Sequence, residues 1–276
     1  PDLLSRLVPA PAAQPATAAW ANQRTIDGGS ALSLSYSQLD DYLSCPERYR
    51  LRYVVGVPTP AHHALSYGSA MHAAVAAFHL QRAKGRPMDE AQLLAAFDTA
   101  WAPEGFLSRD HEQARYAAGR EALLRFHRRA MAQPATTVAI EKPFSFKVGR
   151  DVVRGRMDRV DADANGAVIV DYKSSNVPEQ DKADKRARDS LQLQIYALAH
   201  QAETGTPPRE TQLHFLDSDT IGRMTPDPAR LEKAREQIAV AADGIRAGDF
   251  VARPNPVSCS YCPFRDICTR SAAKAA

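Results

Sequence analysis

The sequence predicts an α/β protein, a mixed sheet covered by helices, and three observations carry that reading. Three β-rich runs, Val138 to Val148, Val152 to Val160 and Ala167 to Tyr172, follow one another as a meander. A helical run and a returning strand, Glu210 to Leu216, come after them. Amphipathic helical runs lie before and after this block.

Taken in order, Pro9 to Ala19 is rich in Ala and Pro without periodicity and reads as a linker within residues 1–31. Order is expected from about Leu32. Ser35 or Ser37 is placed to cap a helix from Tyr36 to Leu43, which Pro46 interrupts before a second piece, Glu47 to Tyr53. Leu65 to Ala83 carries Met71, Ala74, Val75 and Phe78 at helical spacing, and further helices are expected at Asp89 to Trp101 and His111 to Met131. After the meander, Ser174 to Asp189 reads as a polar loop before a helix, Ser190 to Gln201. The closing helix, Pro228 to Gly248, has Leu231, Ala234, Ile238, Ala241 and Ile245 along one stripe. The tail beyond it reads as weakly structured.

A chain of 276 residues can bury one large core with helical additions. A net charge of +3 is compatible with nucleic acid but too weak to argue for it. No apolar run approaches a membrane span, and the opening Pro1-Asp2-Leu3 has no secretory leader, so a cytoplasmic protein is expected. The missing initiator methionine points to a piece of a longer polypeptide. No Gly-x-x-x-x-Gly-Lys-Ser/Thr occurs, so an ATP-driven motor must lie on another domain or chain.

The chemistry-bearing residues begin with a pair of acids on neighbouring strands. Asp158 stands in Arg154-Gly-Arg-Met-Asp-Arg159, and Asp171 follows Val168-Ile-Val170. The hairpin Asp163-Ala-Asn-Gly166 joins the two runs. Residues two apart on a strand share a face, so Asp171 and Lys173 point the same way. Two carboxylates converging on a hard cation, with an ammonium beside them, suit metal-assisted phosphodiester cleavage. The plain alternative is a hairpin whose charges only solvate it, but an acid ending a buried strand needs a partner.

His72, in Gly68-Ser-Ala-Met-His72, borders an apolar helix stripe and is, on its own, more often a hydrogen-bonded helix residue than a ligand. Gln192 and Tyr196 share a helix face, which simple amphipathicity also explains. The basic residues Lys182, Lys185, Arg186 and Arg188 are interleaved with acids and read as a solvated run, though phosphate contacts are open to them. Cys259, Cys262 and Cys268 lie in one short tail and the only other cysteine is Cys45, a pattern suited to zinc or an iron–sulfur cluster. Such a site would fasten the tail to the N-terminal helical region.

Together these motifs resemble the RecB-like branch of the PD-(D/E)XK nucleases, from about Leu32 to Arg270. Leu34-Ser-Tyr-Ser-Gln-Leu39 through Cys45-Pro46 looks like the opening of nuclease domains attached to UvrD-type helicases and of AddB. The resemblance implies a restriction-endonuclease-like fold over residues 32–276. Within it lie a helical region (32–134), a catalytic core (135–225), and a closing helix with the cysteine tail (226–276). It implies His72, Asp158, Asp171 and the backbone carbonyl of Tyr172 as holders of Mg²⁺ or Mn²⁺, with Lys173, Gln192 and Tyr196 completing the catalytic set. Glu141 matches a common family position of second rank. Cys45, Cys259, Cys262 and Cys268 match a [4Fe–4S] signature, with zinc the lesser occupant. The implied activity is a DNA exonuclease serving a helicase, fused upstream or on a partner chain, in end processing, recombination or repair. Single-stranded DNA or an unwound end is the expected substrate. A CRISPR adaptation nuclease and a catalytically silent DNA-binding module are the alternatives, the intact acids and lysine speaking against the last.

Overall fold

The computed structural model describes residues 29–133 and 136–273, so the linker expected at Pro9 to Ala19 lies outside the described residues. Six strands form one mixed sheet: β1 (Ser33–Leu34), β2 (Thr137–Val148), β3 (Asp151–Asp163), β4 (Gly166–Lys173), β5 (Glu210–Phe215) and β6 (Thr220–Met224). The expected meander is present, with β2, β3 and β4 antiparallel in turn. β5 returns parallel to β4, and β6 folds back on β5. A parallel return requires a crossover, and helices supply it.

β3 is the strand around which the site forms. β2 runs along one edge of it from Asp151 to Asp161. On the other edge β1 pairs only at Val152 and Val153, and β4 only from Arg159 to Asp163. Residues 154–158 therefore have no strand partner on that edge, and the sheet forks there.

Helices cover both faces, and β4 shows why. Successive side chains on a strand alternate faces. Val168, Val170 and Tyr172 pack with α3 (His63–Ala83), α4 (Glu90–Ala100) and α5 (Arg109–Ala132). Ile169 faces the other core with α1 (Tyr36–Ser44), α7 (Leu191–Thr204) and α8 (Pro228–Ala247). Completely burying a side chain such as Ile169 contributes about 2 kcal/mol, so both faces are held firmly.

Local chemistry sets the helix ends. Ser35 and Gln38 form a reciprocal capping box at α1, while Asp89, Ser190 and Asp227 cap α4, α7 and α8. Pro46 does interrupt the first helix and becomes the first residue of α2 (Pro46–Tyr49), after which Arg50–Val55 winds as a π-helix ending at Gly56.

Four elements differ from expectation. The segment expected as a polar loop contains α6 (Gln180–Asp189), whose buried face is only Ala183 and Ala187. A pair of alanines gives too weak an apolar signal to read. It suffices because Gly222 on β6 has no side chain to meet the Ala183 carbonyl. β6 itself was not expected, and its hairpin turns through Asp219, which adopts a positive φ of 53°. β1 is two residues long, below any periodicity. The tail expected to be weakly structured holds a short helix, α9 (Pro256–Ser260), capped by Asn255.

Candidate active site

The fork in the sheet brings the predicted acids and lysine together. Asp171 is 1% exposed on β4. Its Oδ2 stands 2.8 Å from Lys173 Nζ, as the same-face argument requires, yet no donor directs a hydrogen bond at that oxygen. Its Oδ1 accepts from the Tyr196 hydroxyl at 3.1 Å. Asp158 lies across the fork, where Asp158 Oδ2 accepts the Tyr172 backbone N–H at 2.8 Å. His72 Nδ1 on α3 is 3.4 Å from the same oxygen. One turn earlier on α3, Gly68 leaves room for Ser174, since a Cβ there would lie 3.2 Å from the Ser174 Oγ.

The two acids feel each other. Burial first, then the Asp171 charge, push the Asp158 carboxyl from 3.8 up to about 6. The nearby His72, the Tyr172 N–H and Glu141 act on it more weakly, the last one raising it further.

Lys173 and the glutamine–tyrosine pair form one chain. Lys173 Nζ donates to Gln192 Oε1 at 2.7 Å, and Gln192 Nε2 donates to the Tyr196 hydroxyl at 2.8 Å. That hydroxyl lies within reach of the Arg156 carbonyl at 2.9 Å as well as of Asp171. Burial, then the charges of Asp171 and Asp158, hold the Tyr196 phenol well above its usual range, so it acts as a neutral hydrogen-bonding group. The i, i+4 spacing of Gln192 and Tyr196 thus serves the acids rather than amphipathicity alone.

Two features had little or no sequence signal. Glu141 on β2 adopts a φ of +50°, rare for a side chain larger than glycine, and falls across the ladder from Asp158. Its Oε2 pairs with Arg156 at 2.9 Å. On α1, Tyr36 and Asp40, one turn apart, lie in the field of Asp171 and Lys173. Burial first, then the neighbouring acids, raise the Tyr36 phenol, and burial likewise raises the Asp40 carboxyl.

The four cysteines gather around one cavity just past the end of α1. All are free thiols, and Cys45, Cys259, Cys262 and Cys268 line one small cavity with Phe264, which is 1% exposed. The Arg253 backbone N–H approaches Cys45 Sγ at 3.5 Å. Burial raises the Cys262 thiol, whereas the backbone N–H groups of Ala272 and Asn255 lower that of Cys259. Arg52 stacks over Phe264 and, with Arg48, is anchored by the buried Asp41, tying the tail to α1.

Among the described residues, no three His, Cys, Asp or Glu side chains stand close enough to hold an ion as placed. The donors nevertheless fit both groups chemically. Asp171 Oδ2 is a buried acceptor without a directed donor, suited to a hard cation. Four thiols around one cavity suit an iron–sulfur cluster or zinc.

No helix among the described residues is long and apolar enough to cross a membrane. In sequence, the chain is 26% identical over 270 residues to the gene 69 protein of Mycobacterium phage D29, spanning 85% of this chain and 95% of that protein. The gene 69 protein of Mycobacterium phage L5 is similar to the same degree, 26% over 286 residues with the same coverage. A crystal structure named as a candidate exonuclease of Eubacterium rectale aligns over 88% of this chain and 89% of its own, with 12% identity and a TM-score of 0.45. The family model of the PD-(D/E)XK nuclease superfamily matches residues 33–269, from β1 through all four cysteines. The chain belongs to the PD-(D/E)XK nuclease superfamily.

Proposed function

We propose that the chain is a divalent-metal-dependent deoxyribonuclease acting as an exonuclease on single-stranded or unwound DNA ends. The observation that carries this reading is the Asp171 carboxylate. It is buried, one of its oxygens lacks a directed donor, and it stands beside an ammonium and a second acid raised to about 6. A fold retains such an arrangement where a ligand completes it.

Asp158, Asp171, His72 and the Tyr172 backbone carbonyl would hold Mg²⁺ or Mn²⁺, a mainly oxygen set with one nitrogen. When bound, the ion lowers the pKa of water and offsets charge on the scissile phosphate. Lys173, steadied between Asp171 and Gln192, orients the attacking water and faces the negative charge that grows on phosphate oxygens. Tyr196 fixes the rotamer of Asp171, and the Tyr172 N–H fixes that of Asp158. Glu141 is a second-rank contributor from the opposite edge.

The cysteines would hold a [4Fe–4S] cluster that staples the tail to α1, since hydrolysis needs no electron transfer. The biological role proposed is end processing in recombination or repair beside a helicase motor. The motor would be fused upstream or lie on a partner chain.

Cleavage of end-labelled single-stranded DNA tests the reading. We expect activity in Mg²⁺ or Mn²⁺, none in excess chelator, and at least a ~10³-fold loss in a folded Asp171→Ala variant. Undiminished cleavage by that variant, or equal cleavage in chelator, refutes the metal site. Cleavage of circular single strands refutes the exonuclease mode. Anaerobic purification should give a brown protein with about four irons per chain, and stoichiometric zinc in a colourless protein refutes the cluster.

A further inference from the structure

A second polar cavity, of 330 Å³, opens at the other end of the sheet. Its wall includes Gly166 and Val168 on β4, roughly 10–16 Å along the strand from Asp171, and Arg159, the sequence neighbour of Asp158, whose side chain turns to this side. None of the acids, the lysine or the Gln192–Tyr196 pair lines it.

Five guanidinium groups line this cavity: Arg82 from α3, Arg129 from α5, Arg159 from β3, Arg209 before β5, and Arg223 from β6. Only two carboxylates, Asp161 and Asp163, share the lining. Asp161 is already engaged by Arg159 at 2.9 Å and by the Thr137 hydroxyl at 2.8 Å. Arg129 pairs with Asp219 at 2.8 Å, outside the lining. Arg209 stands 3.3 Å from Asp163, and Arg223 3.7 Å from Glu210, both loose and partly exposed pairs. Arg82 donates to the Ala130 carbonyl at 2.7 Å and has no carboxylate partner among the described residues. Five guanidinium groups thus face four carboxylates, leaving Arg82 in surplus and Arg209 and Arg223 only loosely paired.

The buried side of the cavity holds donors that lack acceptors. His79 is 4% exposed, and its Nε2 lies 3.0 Å from the Arg159 guanidinium and 2.9 Å from the Tyr172 hydroxyl. A guanidinium only donates, so Nε2 must be the accepting nitrogen, which places the ring hydrogen on Nδ1. That Nδ1–H has no partner, and neither has Arg159 Nε–H. Two orphaned buried donors are expensive unless an acceptor arrives. His214, 3% exposed, adds a second imidazole held by Asp219 at 2.9 Å.

We propose that this cavity is a binding site for a phosphate monoester of mononucleotide size. Surplus guanidinium charge selects a dianionic oxygen cluster, which Arg recognises with several donors at once. Arg82, which has no carboxylate partner among the described residues, and the loosely paired Arg209 and Arg223 supply donors that phosphate oxygens accept. The volume lies at the low end of small-molecule sites, which matches one nucleotide rather than a length of strand. The proposal does not rest on the nuclease reading, since its residues and those of the acid pair are separate sets.

Isothermal titration calorimetry in chelator, with deoxyadenosine 5′-monophosphate as the probe, tests the site apart from any metal-dependent binding. The expected result is one saturable site per chain, with no binding of deoxyadenosine and weaker binding of inorganic phosphate. Arg82→Ala and Arg209→Ala should each weaken the nucleotide about tenfold while thermal denaturation stays unchanged, and Asp171→Ala should leave binding intact. Absence of saturable binding overturns the proposal, as does binding indifferent to both arginine substitutions. Loss of binding in Asp171→Ala places the nucleotide at the fork and overturns it too. Inorganic phosphate bound as tightly as the nucleotide removes the mononucleotide assignment. A short oligonucleotide bound more tightly than the nucleotide, and weakened by the same two substitutions, makes the cavity a strand contact instead.

Discussion

Strand β3 carries one buried or half-buried aspartate near each end of its unpaired edge, and the two are treated in opposite ways. Asp151 is 5% exposed and every demand it makes is met. Arg246 grips both its oxygens, at 2.6 and 2.7 Å, and the Leu32 N–H donates to Oδ1 at 2.8 Å. Burial acts to raise its carboxyl, but these partners outweigh burial and hold it below the usual range. Asp158 has one N–H and a distant imidazole, faces another acid, and is raised to about 6. The first carboxylate joins β1 and α8 to the sheet. The second is kept short of partners, as an acid waiting for a cation must be.

Breaking the satisfied pair should have the largest effect on stability. Arg246→Ala leaves Asp151 charged and buried without its partner, and breaking a buried pair costs about 3–5 kcal/mol. Chemical denaturation should show that loss, with the first helices and α8 loosening together. A variant that unfolds at the wild-type midpoint would remove the distinction between the two acids.

The raised acid predicts the reverse sign. The native Asp158 titrates near 6 against 3.8 in the unfolded chain, so the native state binds more protons between those values. Stability of the metal-free protein should therefore fall as pH rises through that window and level off above it. The shift corresponds to roughly 2–3 kcal/mol at neutral pH. Asp158→Asn retains an acceptor for the Tyr172 N–H and removes the charge. It should melt higher than wild type at pH 7.5 in chelator, lose that advantage near pH 4, and cleave no DNA. A lower melting point at pH 7.5 would mean that the carboxylate is structurally satisfied after all.

The same contrast marks what the sequence could disclose. Asp171 and Lys173 could be placed on one face from the strand period of two, and Gln192 with Tyr196 from the helix period of four, but that the latter pair meets the acids came only with the resemblance. His72 needed its motif as well as its spacing, since a histidine beside an apolar stripe is ordinarily structural. The Asp151–Arg246 pair joins residues 95 apart with no local signal at either end. Glu141 was visible as a residue but not as a strained one, because a positive φ at a glutamate leaves no mark in the sequence. α6 stayed hidden because two alanines and an opposing glycine are all its packing requires. The arginine cavity draws on residues from His79 to Arg223, a placement that no short pattern encodes.

The smallest expected effect separates holding an acid from acting beside it. Gln192 touches neither carboxylate; it accepts from Lys173 and donates to Tyr196. Lys173 keeps its ion pair with Asp171 when the amide is removed, and Tyr196 keeps its bonds to Asp171 and the Arg156 carbonyl. Gln192→Ala should therefore leave the melting temperature and substrate KM near wild type while lowering kcat about 10- to 100-fold, the range for a group that orients a ligand-bearing shell. Gln192→Glu keeps an acceptor for Lys173 but cannot donate to Tyr196, so it should recover part of the rate. Equal loss in KM and kcat would instead place Gln192 against the DNA, and a lowered melting point with rates per folded molecule unchanged would make it a packing residue of α7. Only a kcat defect with partial recovery in the glutamate variant fits an ammonium whose aim, rather than whose presence, depends on the amide.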